Sequence, residues 1–175
     1  VRRIAVMKPA RDLTSLEVLE IAIKSEIDAA AMYRKMVGLV TNKDLKNRLL
    51  YLENEEKAHR ALFEREYKAK FADVDLELPK GSMVPSVEEA LNKDLSLKEL
   101  FAVAMTAEQL SEKFYNDLAE ISQDLQATAM YQYLAKTEHG HYELLRNELE
   151  FLKQFPQYYQ SEYFNFDDDA YHVGP

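Results

Sequence analysis

Residues 52–63 read LENEEKAHRALF, and residues 134–145 read LAKTEHGHYELL. In each stretch a glutamate precedes a histidine by three positions: Glu56 and His59, then Glu138 and His141. Three positions is close to one helical turn, so both members of a pair project from one face. Leu52 and Phe63 flank the first pair, and Leu134 and Leu145 flank the second. The pairs therefore belong to apolar, core-facing stripes. A carboxylate buried there without compensation would cost on the order of several kcal/mol.

Working outward, each pair is preceded by a helix with its own polar residue in an apolar stripe. Glu26 lies among Leu19, Ile23 and Tyr33, and Glu108 lies among Phe101, Met105 and Tyr115. Glu26 and Glu108, Tyr33 and Tyr115, Glu56 and Glu138, and His59 and His141 are all separated by the same 82 residues. Leu52 and Leu134, Leu62 and Leu144, and Glu66 and Glu148 keep that offset, while most other paired positions differ. The chain is thus a duplicated helical hairpin.

Helix ends are marked by local chemistry. Thr14 with Glu17 forms a capping-box pattern that opens a helix over about 15–40, closed near Gly38, Thr41 and Asn42. A second helix follows over about 43–70, and the short turn makes the two antiparallel. Residues 71–96, with Pro79, Gly81 and Pro85, read as a long crossover. A short helix is expected after Ser86, which stands three before Glu89. An extended chain covers about 3.3 Å per residue, enough for this segment to run the length of a bundle. Ser96 with Glu99 caps a third helix over about 97–122, and a fourth runs over about 125–153. Pro156 is expected to end helical structure, leaving 154–175 as a non-helical tail. The expected fold is an all-α four-helix bundle of two repeated antiparallel hairpins joined by the crossover, a single domain over 1–175.

Four inward carboxylates need positive charge, and two divalent metal ions would cancel it. Oxygen donors mixed with imidazole suit iron, with manganese or zinc possible. One Glu from each of two helices plus Glu-x-x-His from each of the other two is the ligand arrangement of di-metal carboxylate bundles. The expected ligands are Glu26, Glu56, His59, Glu108, Glu138 and His141. Tyr33 and Tyr115 each stand two turns beyond their Glu, and a buried phenol needs a hydrogen-bond partner, for which a ligand carboxylate is suited.

On Glu26-x6-Tyr33, Glu56-x2-His59, Glu108-x6-Tyr115 and Glu138-x2-His141, residues 14–153 resemble the rubrerythrin branch of the ferritin-like superfamily. The resemblance implies a di-iron centre at the matching Glu and His residues that reacts with hydrogen peroxide or dioxygen. It also implies an external electron donor and association into a homodimer. Typical rubrerythrins add a rubredoxin-like domain with Cys-bound iron, whereas this sequence contains no cysteine. They also carry a glutamate three residues after the third-helix Glu; Ser111 stands there, with Glu112 one step on. Bacterioferritins place a haem-binding Met after the first Glu of the pair, where this chain has Lys57.

Composition narrows the alternatives. Without cysteine there are no disulfides, iron–sulfur clusters or thiol chemistry, which fits a cytoplasmic protein. A net charge of −9 repels phosphate backbones, so no nucleic-acid partner is expected. No run of about 18 apolar residues suggests a membrane span, and Val1–Met7 is too short and charged for a signal peptide. No dinucleotide fingerprint is present, so re-reduction needs an outside electron-transfer protein.

Other readings remain open: iron buffering or sensing without turnover, manganese-catalase chemistry, or a metal-free scaffold. Glu53 and Glu112 read as solvated or supporting groups rather than ligands, since the repeat gives them Ala135 and Ala30 as counterparts. His139, about 200° round the helix from His141, reads as surface-facing. Gly140 reads as space beside the metals for a small oxidant, or as a close helix contact. His172 and Asp167–Asp169 read as a solvated tail.

Overall fold

Helix α1 spans Ser15–Gly38 and begins at a complete capping box. Glu17 N–H donates to Thr14 Oγ1 at 3.2 Å, and Thr14 N–H donates to Glu17 Oε2 at 2.8 Å. Helix α2 covers Lys43–Lys70, with Asn42 as its N-cap accepting from Leu45 N–H. Helix α3 covers Leu97–Ile121 behind the expected Ser96–Glu99 capping box. Helix α4 covers Leu125–Gln154, and Asp124 accepts from its first turn. Helix ends lie within one or two residues of the sequence reading, as fraying termini allow. The computed structural model describes residues 9–80, 87, 90 and 93–159. Val1–Met7, the Ser86–Glu89 pair, Asp167–Asp169 and His172 lie outside these.

The four helices pack against one another around one apolar core, and no strand occurs among the described residues. Packing is densest within each hairpin, α1 on α2 and α3 on α4. Ile23, Leu49, Leu52, Leu100, Phe101, Leu134 and Leu145 are fully buried. The Phe63 ring stacks on Tyr115 at 5.6 Å, joining α2 to α3. In the crossover, Val87 and Ala90 are helical and buried. Lys35 of α1 donates to the carbonyls of Ala90 and Lys93, tying this segment down.

Two short 3-10 turns were not legible in the sequence: Ala10–Asp12 before α1 and Pro156–Tyr159 after α4. Pro156 therefore ends the α-helix but opens a further helical turn. Proline suits a first helical position, where its missing N–H would have no intrahelical partner.

Gly140 fits neither sequence reading. It is exposed, and a Cβ added there meets no atom within 4 Å. It neither lines the core nor permits a close helix contact. Glycine in a helix interior costs about 1 kcal/mol relative to alanine. Gly140→Ala should therefore raise unfolding stability by up to about 1 kcal/mol in urea titration, and a loss would contradict the open surroundings.

Candidate metal centre

Helical periodicity turns one ligand-type face of each helix inward, and the four faces meet. Glu26 comes from α1, Glu56 and His59 from α2, Glu108 from α3, and Glu138 and His141 from α4. All six side chains are buried. They form two groups: Glu26, Glu56, His59 and Glu138, and then Glu56, Glu108, Glu138 and His141. Within each group one donor atom per residue lies within 4.8 Å of every other. Glu56 and Glu138 belong to both groups.

The arrangement has approximate twofold character. His59 Nδ1 lies 3.1 Å from Glu138 Oε1, and His141 Nδ1 lies 3.1 Å from Glu56 Oε1. Each histidine thus faces the glutamate of the opposite Glu-x-x-His helix more closely than its own, which is 3.5 Å away in both cases. The rings stack with centroids 5.7 Å apart.

Both tyrosines reach across the bundle. The Tyr33 hydroxyl on α1 donates to Glu108 Oε1 on α3, and the Tyr115 hydroxyl on α3 donates to Glu26 Oε1 on α1. The sequence placed each phenol near a ligand carboxylate; the structure shows that the carboxylate belongs to the other hairpin. Burial, then the neighbouring carboxylates, pushes both phenols well above their ordinary value, so they remain donors.

The ionisation pattern records the crowding. Burial, only partly offset by His59, pushes the Glu26 carboxyl up to about 8. Burial and the Glu56 and Glu108 charges hold Glu138 well above the carboxylate range. Burial also raises Glu56, but His141 and His59 outweigh it and hold this group below its ordinary value. For both histidines burial favours the neutral ring. The surrounding carboxylates overcome this and hold both rings above their usual value.

The donor set fits a pair of metal ions on an observation independent of resemblance. Both nitrogens of His59 and of His141, with Glu56 Oε1 and Glu138 Oε1, are buried without a hydrogen bond. Buried polar atoms are normally satisfied. Here six unsatisfied atoms belong to the residues that make up the two groups.

A family model described as Rubrerythrin matches residues 17–149. The chain belongs to the rubrerythrin family. A solved structure described as a hypothetical protein from Pyrococcus furiosus is similar to it at 28% identity and a TM-score of 0.74, covering 85% of this chain and 98% of that one. A search of curated proteins finds no match.

Against the rubrerythrin pattern, Glu112 does not substitute for the glutamate missing at Ser111. It lies outside both groups and faces His139, with Nδ1 and Oε2 3.2 Å apart on the outer side of α3 and α4. His139 is surface-facing, as its helical phase indicates. Glu53 is buried rather than solvated. Its Oε1 accepts from Arg34 at 2.7 Å and from Lys57. The sequence signal for this set was the i,i+4 spacing of Glu53 and Lys57; Arg34 arrives only through α1–α2 packing.

A group whose folded pKa is raised stabilises the fold below its unfolded value and loses that benefit as pH rises through the folded one. Glu26, Glu138, His59 and His141 all have this sign; Glu56 opposes it. The Tm of the metal-free protein should therefore fall as pH rises from about 4.5, the ordinary glutamate value, through about 8, where the buried Glu26 ionises. Metal uptake should release protons, and the affinity should weaken on acidification, as calorimetry in two buffers can measure. Separately, Tyr33→Phe and Tyr115→Phe should each weaken metal binding by about tenfold, because each leaves a ligand carboxylate without its orienting donor. Unchanged affinity in a chelator competition would contradict that role.

Proposed function

We propose that this chain holds two iron ions and uses them to reduce hydrogen peroxide or dioxygen, with electrons from an external electron-transfer protein. The observation that carries the reading is that Glu56 and Glu138 belong to both donor groups. Sharing of that kind supports two adjacent ions rather than one ion or two remote ones. Membership of the rubrerythrin family supports the same reading.

Glu26, Glu56, His59 and Glu138 would hold one ion, and Glu56, Glu108, Glu138 and His141 the other. Carboxylate oxygen with imidazole nitrogen suits iron, with manganese and zinc as competitors. Iron held there in the ferrous state would supply the two electrons that the reduction needs. The chain's own part is positional. The Glu-x-x-His turns set the spacing, while Tyr33 and Tyr115 hold Glu108 and Glu26 in orientation through their O–H groups. The surrounding leucines and aromatics keep bulk water out. Metal entry would displace the protons that burial favours on Glu26 and Glu138 and that the carboxylates favour on the two imidazoles.

The test is anaerobic loading with two equivalents of ferrous iron, followed by hydrogen peroxide in a stopped-flow spectrometer. The expected result is oxidation of both ions by one equivalent of peroxide, about a hundredfold or more faster than free iron. Oxidation no faster than free iron would refute the proposal. With a reductant present, many equivalents of peroxide should be consumed; consumption of only one per site would indicate iron buffering.

A further inference from the structure

The internal repeat lets one side of the site be compared with the other. At the 82-residue offset, Glu53 corresponds to Ala135, Arg34 to Asn116, Lys57 to His139 and Ala30 to Glu112. In the first hairpin Glu53 sits one turn before Glu56 and is 2% exposed. Its Oε1 accepts from Arg34 Nη2 at 2.7 Å, from Arg34 Nε at 3.0 Å, and from Lys57 Nζ. This ion-paired set occupies the seam between α1 and α2.

The second hairpin has no buried counterpart of this set: its bridging pair, Glu112 with His139, is solvent-accessible rather than buried. Ala135 sits one turn before Glu138 and stops at its Cβ. A cleft of about 610 Å³ opens there, lined by Glu112, Asn116, Gln132, Ala135, Lys136 and His139. Ala135 is 3% exposed, so it forms the cleft's floor, while His139 and Glu112 face each other at its rim. One carboxylate and one ammonium line it besides the imidazole, so it carries no single-sign field to draw in an anion or a cation. Its polarity and size suit a small uncharged molecule.

We infer that the α3–α4 cleft above Ala135 is the route by which a small uncharged oxidant reaches the metal centre, and that Glu53, Arg34 and Lys57 seal the equivalent route on the other hairpin. The inference rests on the two-ion reading above. It assigns a direction to a site whose ligands are almost symmetric. Ala135 is the determining position: a side chain long enough to reach its neighbours there would fill the cleft floor, one turn before Glu138.

Two measurements test it, neither an assay of turnover. The first grafts the seal onto the open side with Ala135→Glu, Asn116→Arg and His139→Lys together. Nitric oxide, a small uncharged ligand of ferrous iron, is mixed with the loaded protein and its association followed by visible absorbance. With two irons still bound per chain, association should slow by about tenfold or more relative to the parent. A rate within about twofold of the parent would overturn the inference. Failure of the parent chain to bind two irons would instead overturn the functional reading.

The second measurement needs no metal and, even if the grafted chain does not fold, tests whether the cleft is open down to position 135, without which the route fails. The sequence has no cysteine, so an introduced thiol is the sole reactive one. Ala135→Cys and Ala104→Cys, the latter in the closed core at 0% exposure, are treated with methyl methanethiosulfonate in the metal-free state. The Ala135→Cys variant should react about tenfold or more faster, because its thiol opens onto the cleft rather than waiting for unfolding. Equal rates would show that no route reaches this position.

Discussion

Four carboxylates and two imidazoles share one water-poor core, and the rest of the molecule is arranged around that charge. Left alone, such a cluster would oppose folding, since each buried charge costs several kcal/mol, by rough estimate, unless it is paired. The protein lessens the cost by proton sharing. Burial holds Glu26 and Glu138 towards the neutral form, while the carboxylates hold His59 and His141 towards the charged one. Two phenols add hydrogen bonds to the outer carboxylates. What remains is a set of convergent, unsatisfied oxygen and nitrogen atoms. Such a set is suited to a pair of cations.

This constraint accounts for the uneven drift between the two hairpins. Positions that project into the cluster keep the same residue at the 82-residue offset, and so do some of the leucines that enclose them. Positions one turn away are free of that demand and have diverged: a buried, ion-paired Glu53 on one side, a bare Ala135 on the other. A duplicated element can thus retain a symmetric centre while its two flanks become chemically different. The crossed Tyr33–Glu108 and Tyr115–Glu26 bonds also make each hairpin's ligands depend on the other. Neither hairpin alone holds a complete group.

Placement in the rubrerythrin family locates the departures. The chain shares the fold of the Pyrococcus furiosus protein over most of both lengths. Its third helix carries Ser111 where typical rubrerythrins have a further glutamate, and Glu112 is turned to the outer face beside His139. The inward donor set is therefore the symmetric six, with each shared glutamate contributed by a Glu-x-x-His turn.

The four long helices, the two capping boxes, the duplication and the six inward polar residues were legible in the chain alone. These are properties of a single helix or of its spacing along the chain, and a helical period reports them directly. The chain also indicated that Tyr33 and Tyr115 would be buried near carboxylates, because they share a face with Glu26 and Glu108. It took the packing of the helices to fix which carboxylate each tyrosine meets, that Glu56 and Glu138 belong to both donor groups, that Glu53 is locked by Arg34, and that Gly140 faces open space. Those facts depend on the rotation and depth at which one helix packs against the next. Periodicity says which face turns inward, but not what stands opposite it.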